Sequence, residues 1–140
     1  MKKKVLIILS IIITSSLFFQ ACYAAPNEAL VEISCDAFTE HNTIYKKTMV
    51  AAGGLLVVGL CPSTATGFEW DWSASDPGII DEVDYHYEPT KDNINDAAGI
   101  DVWTFKATKR GDTTIIMEQV RKGVQEEKGP WRLDINVLVK

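Results

Sequence analysis

Trp131-Arg132-Leu133-Asp134-Ile135-Asn136-Val137-Leu138-Val139 carries the clearest alternation in the chain. Apolar residues at every second position, with Arg132, Asp134 and Asn136 between them, are the period-2 signature of a half-buried strand. Working backwards, residues 114–120 and 102–107 read the same way. Lys109-Arg110-Gly111-Asp112 between those runs predicts a hairpin-like turn, since glycine tolerates positive φ. Phe68-Glu69-Trp70-Asp71-Trp72 alternates large apolar with acidic residues, and residues 79–87 place Val83, Tyr85 and Tyr87 at alternate positions. Leu55-Leu56-Val57-Val58-Gly59-Leu60 is a short run of β-formers, and Ala29-Leu30-Val31-Glu32-Ile33-Ser34-Cys35 suits a first strand. Helical periodicity is weak throughout, and no internal repeat is evident. About seven strands separated by Gly, Pro, Asn and Asp clusters predict an all-β sandwich or barrel. Its core would draw on Phe68, Trp70, Trp72, Trp103, Phe105, Ile115, Met117, Leu133, Ile135 and Val137. Residues 61–67, 91–99 and 121–130 break the pattern and read as loops, the usual place for recognition on a rigid sandwich.

With 140 residues the chain is long enough for one domain and not for two. Its 46% hydrophobic and 24% charged residues are ordinary for a globular protein, which argues against disorder, collagen or coiled coil. Two histidines and three cysteines exclude a zinc finger, a haem-attachment motif and a disulfide-dense scaffold. A formal charge of −5 argues against nucleic-acid binding, which needs a basic surface.

The first residues read as an export signal. Met1-Lys2-Lys3-Lys4 is basic, residues 5–19 are almost wholly apolar, and Gln20-Ala21-Cys22-Tyr23-Ala24-Ala25-Pro26 is rich in small residues. The apolar run is about 15 residues, short of the roughly 20 that cross a bilayer, so a secretory leader fits better than a retained anchor. Two cleavage sites are open. An ordinary peptidase would cut after Ala24. Alternatively Phe19-Gln20-Ala21-Cys22 resembles a lipobox, which would end the leader at residue 21 and put lipid on Cys22. The expected organisation is therefore a leader over 1–24, or 1–21, and one domain over 25–140. Loss of Lys2, Lys3 and Lys4 takes the formal charge from −5 to −8. The expected location is exported, periplasmic or secreted, with lipid anchoring to the envelope as the variant. Cys35 and Cys61 then either form one disulfide or remain two buried thiols; their spacing does not decide.

Candidate chemistry is sparse. His41 lies in Glu40-His41-Asn42 and His86 in Tyr85-His86-Tyr87, and neither is near a nucleophile elbow. Asp84, His86 and Glu88 alternate and would share one strand face, but no fourth ligand is evident, so a solvated face is the better reading. Nothing selects two of the 19 acids as a glycosidase pair. No catalytic residue, metal or cofactor is expected. The most distinctive segment is the loop Cys61-Pro62-Ser63-Thr64-Ala65-Thr66-Gly67, whose small side chains leave the backbone accessible. Phe68 and Trp70, if they face inward, would anchor that loop in the core.

Leu60-Cys61-Pro62-Ser63-Thr64-Ala65-Thr66-Gly67-Phe68-Glu69-Trp70 resembles the first signature of the chagasin-type inhibitors of papain-like cysteine peptidases. That signature is Asn-Pro-Thr-Thr-Gly, an aromatic residue, a variable one and Trp. Ser63 falls on the Asn, Thr64 on the Pro, Ala65 and Thr66 on the two Thr, and Gly67 on the Gly; Phe68 and Trp70 match the aromatics. A second family motif, a Gly-rich loop leading into an aromatic strand, is similar to Asp96-Ala97-Ala98-Gly99-Ile100-Asp101-Val102-Trp103-Thr104-Phe105-Lys106-Ala107. Only Gly99 of its glycines is kept. The third motif, Arg-Pro-Trp, has two placements. Gly129-Pro130-Trp131 abuts the last strand; Arg121-Lys122-Gly123 directly follows the preceding strand and is preferred, with only its Arg retained.

The resemblance spans residues 29–139 and implies an immunoglobulin-like antiparallel β-sandwich with three loops clustered at one end. It implies a monomeric, reversible, competitive inhibitor of papain-like, cathepsin L-type peptidases that occludes the active-site cleft. The peptidase-binding residues implied are Ser63, Thr64, Ala65, Thr66, Gly67, Phe68, Ala97, Ala98, Gly99, Arg121, Lys122 and Gly123. The competing expectation is an exported immunoglobulin-like binding module of the envelope that inhibits nothing.

Overall fold

A computed structural model describes residues 24–62, 67–89, 99–121, 123 and 127–140. The expected leader lies outside the described residues except for Ala24. In chain order the elements are β1 (Glu28–Ile33), α1 (Cys35–Glu40), β2 (Thr43–Val50), β3 (Leu55–Leu60), β4 (Glu69–Ala74), β5 (Ile80–Glu88), β6 (Ile100–Ala107), β7 (Gly111–Arg121) and β8 (Glu127–Val139). They form two four-stranded sheets, ordered β1-β3-β6-β5 and β2-β8-β7-β4. The protein is an all-β sandwich.

The alternation of the last strand sets the inner face. Leu133, Ile135 and Val137 are fully buried, and Ile115 and Met117 beside them on β7 are buried too. Phe105, Leu56, Leu60 and Ile80 supply the opposite wall. Burying each such side chain contributes about 1.5–3 kcal/mol, and together they form one continuous core. Of the predicted core residues, Phe68 and Trp72 are only half-buried: Trp72 lies on the edge strand β4 and Phe68 just before it.

Four features differ from the expected pattern. There are eight described strands, because β2 was hidden. Lys46 occupies the position paired with buried Ile135, on the face where alternation calls for an apolar residue. A charge there on an edge strand discourages pairing with other chains. Two pairings, β1 with β3 and β2 with β8, are parallel. The first follows from the path of the chain, which leaves β1, crosses to the other sheet as β2, and returns as β3. The predicted loop over 121–130 is also shortened by strands, since Arg121 ends β7 and residues 127–130 begin β8.

The unpredicted helix α1 has only six residues, too few to show periodicity. Ser34 caps it by accepting a hydrogen bond from the Ala37 amide at 3.4 Å, and Asp36 lies in its first turn, as the helix dipole favours. On β5, Val83 is the extra residue of a bulge between Glu82 and Asp84. Val83, Tyr85 and Tyr87 are about half exposed, because β5 is an edge strand.

Candidate functional site

Strand register brings three connections to one pole. Leu60 at the end of β3 pairs with Asp101, and Glu88 at the end of β5 pairs with Ile100. On the other sheet Glu69 pairs with Val120, and Arg121 pairs with Glu127. The two sheets are joined there by Trp70, whose Nε1 donates to the Cys61 carbonyl at 2.8 Å in a buried bond. The β3–β4, β5–β6 and β7–β8 connections therefore all depart from the same end of the sandwich.

The first connection has the firmest root. Cys61 is bonded to Cys35 with their Cα atoms 5.0 Å apart, which resolves the two thiols as a disulfide. Pro62 is buried beside it. On the far side Gly67 is exposed with φ +72°, a conformation that favours glycine. Phe68 is half-buried, with the Arg121 guanidinium carbon 4.6 Å from its ring centroid, so the first and third connections touch at their bases. Ser63, Thr64, Ala65 and Thr66 lie outside the described residues.

At the second connection Gly99 is buried, and its amide donates to the Tyr87 hydroxyl at 3.1 Å. A Cβ here would meet the Glu88 carbonyl oxygen and lie 2.7 Å from the Tyr87 ring carbon Cζ. The glycine is thus required by close packing at the root. Tyr85 beside it donates to the Asp101 carboxylate at 3.2 Å; burial, then the Asp101 charge, hold its phenol above the usual pKa. Ala97 and Ala98 lie outside the described residues.

At the third connection Arg121 is exposed and pairs with Glu127 at 3.2 Å. Just inside it, Glu118 accepts from Lys128 at 3.0 Å and from Arg132 at 2.5 Å. The Lys128 hydrogen bond leads the effects that hold the Glu118 carboxyl below the usual carboxylate range, against a partial desolvation cost. Gly123 is exposed with open space around it, and Lys122 lies outside the described residues. Gly129, Pro130 and Trp131, the other placement of the third motif, lie within β8. Trp131 is stacked on Phe38, with ring centroids 5.2 Å apart and planes 13° apart.

Sequence reasoning missed what closes this pole. Phe38 of α1 is fully buried between Trp131 and Trp70, the latter at 5.3 Å. The one available signal was Ser34 followed by Asp36, a helix start too short to stand out. The Asp84, His86 and Glu88 face carries an exposed His86–Asp84 contact at 2.7 Å, and among the described residues no group of three potential ligands is placed to hold a metal.

The profile of the family described as Chagasin family peptidase inhibitor I42 matches residues 49–137. No curated protein matches the chain. Among solved structures the chain is similar to the cysteine protease inhibitor EhICP2 from Entamoeba histolytica. The two are 16% identical with a TM-score of 0.62, over 83% of this chain and 100% of that one. That likeness is one of fold. It is also similar to PbICP-C, solved in complex with falcipain-2, at 14% identity and a TM-score of 0.47, over 80% of this chain and 99% of that one. Because the profile covers well over half of the sequence, the protein belongs to the chagasin family of peptidase inhibitors, whose members are inhibitors and not enzymes.

Proposed function

We propose that this protein is an exported, reversible, competitive inhibitor of papain-like cysteine peptidases, acting as a monomer. The observation that carries the reading is the convergence of three connections at one pole, the first held by the Cys35–Cys61 disulfide and the Trp70–Cys61 hydrogen bond. In this reading residues 63–68 lie across the catalytic thiol. Thr66 and Gly67 sit nearest it and present backbone that is poorly aligned for cleavage. Ala97, Ala98 and Gly99 line one wall of the cleft, with Gly99 acting from the root. Arg121, Lys122 and Gly123 line the other. Loops with fixed roots lose little entropy on binding, and protease–inhibitor interfaces of this kind bury about 1,600 Å² in total.

Export is part of the proposal. The leader is residues 1–24, cut after Ala24, or residues 1–21 with lipid on Cys22. A disulfide at the root of the first loop supports an oxidising compartment.

The test is titration of papain with residues 25–140. Peptidase activity should fall in competition with substrate and return on dilution. Thr66→Arg should weaken inhibition without lowering the melting temperature. Full papain activity at micromolar concentrations of folded protein would contradict the proposal and leave a non-inhibitory binding module.

A further inference from the structure

We infer that the β1–β2 connection, residues 34–42 with helix α1, is a fourth element of the peptidase-facing pole, docking its acidic outer surface on a cationic or donor-rich wall beside the cleft. The inference rests on the inhibitor reading above. Placement comes first. β1 runs parallel to β3 with Ile33 paired to Leu60, so α1 emerges where the first loop does. The two are covalently continuous through Cys35–Cys61.

The segment is also held rigidly. Phe38 is wedged between Trp70, at the far root of the first loop, and Trp131, on the strand that follows the third. Within the helix the Thr39 hydroxyl donates to the Asp36 carbonyl at 2.8 Å. A surface fixed in this way can be buried by a partner at little further entropic cost.

Its outer side is exposed at Asp36, Thr39, Glu40 and His41. Glu118, Glu127 and Asp134 on the neighbouring β7–β8 hairpin each hold a cation of this chain. Asp36 and Glu40 make no ion pair with a described cation and remain available to an external one. The family match begins at residue 49, after this element.

The experiment compares papain inhibition by the wild-type protein, Glu40→Arg, and Lys109→Glu in the hairpin turn at the opposite pole. Arginine suits a helix C-terminus, so Glu40→Arg should keep the wild-type melting temperature. Glu40→Arg should raise the inhibition constant by roughly tenfold and flatten its dependence on salt, while Lys109→Glu changes neither. In the wild-type complex, amide exchange over residues 36–41 should slow. Wild-type inhibition with Glu40→Arg equal to it, and no slowing over 36–41, would overturn the inference alone. Wild-type protein that leaves papain active would overturn the inhibitor reading and this inference with it.

Discussion

The two poles of the sandwich are closed by different chemistry. At the pole away from the candidate site hydrogen bonds do the work, some through the Ser75, Asp76, Thr108 and Thr113 side chains and others between main-chain groups. Ala51 donates to Pro26 at 2.7 Å, Ala52 to Lys140 at 2.8 Å, Gly53 to Ala107 at 2.7 Å and Leu55 to Asn27 at 2.8 Å. At the candidate pole the ties are largely side chains: a disulfide, the Trp70 indole, the Phe38 ring between two tryptophans, and Arg121 over Phe68. Backbone bonds form with almost any side chain in place. Side-chain ties depend on particular residues and can be altered one at a time without rewriting the fold. The candidate pole is therefore set apart by its covalent link and its ring contacts, which depend on a few particular residues.

The sharpest way to break this contrast is Phe38→Ala. It should cost about 3–5 kcal/mol, read by chemical denaturation, because the cavity opens between two large rings that cannot close on each other. Replacing Cys35 and Cys61 together by Ser should cost about 3–4 kcal/mol through lost loop closure. Inhibition of papain should weaken in the fraction that remains folded, and reduction of the wild-type protein should reproduce both effects.

A smaller effect concerns Glu118. Its carboxyl is held below the ordinary range, so its contribution is fully present above the unfolded pKa and is lost as pH falls through the folded one. Glu118→Gln should therefore lower the melting temperature slightly near neutral pH and flatten its decline below about pH 4.5. At the opposite pole, Ala52→Glu on an exposed turn should move stability by no more than about 0.5 kcal/mol and leave inhibition untouched. A large effect of Ala52→Glu on inhibition would erase the distinction between the poles.

What was readable in the sequence follows the same division. Strands with strict alternation, β8, β7 and β6, announced themselves, because each has one face on the core. β2 did not, since Lys46 breaks its inner row at the edge. Neither did α1, whose role depends on a ring meeting Trp70 and Trp131 from distant parts of the chain. The disulfide stayed open for the same reason, as spacing along the chain carries no distance. The motif-bearing segments were legible as small-residue loops, and Trp70 as an anchor only by its place in an alternating run; its bond to the Cys61 carbonyl needed three dimensions. Gly99 was legible as a motif remnant, whereas its packing under Tyr87 was not.

Amide hydrogen exchange of the protein, free and bound to papain, tests the central claim most directly. Slowed exchange should appear at residues 61, 67–70, 99–101 and 119–123, with residues 51–55 and 107–111 unchanged. Protection spread over the outer face of either sheet, or centred on the opposite pole, would contradict a wedge built at one end of the sandwich.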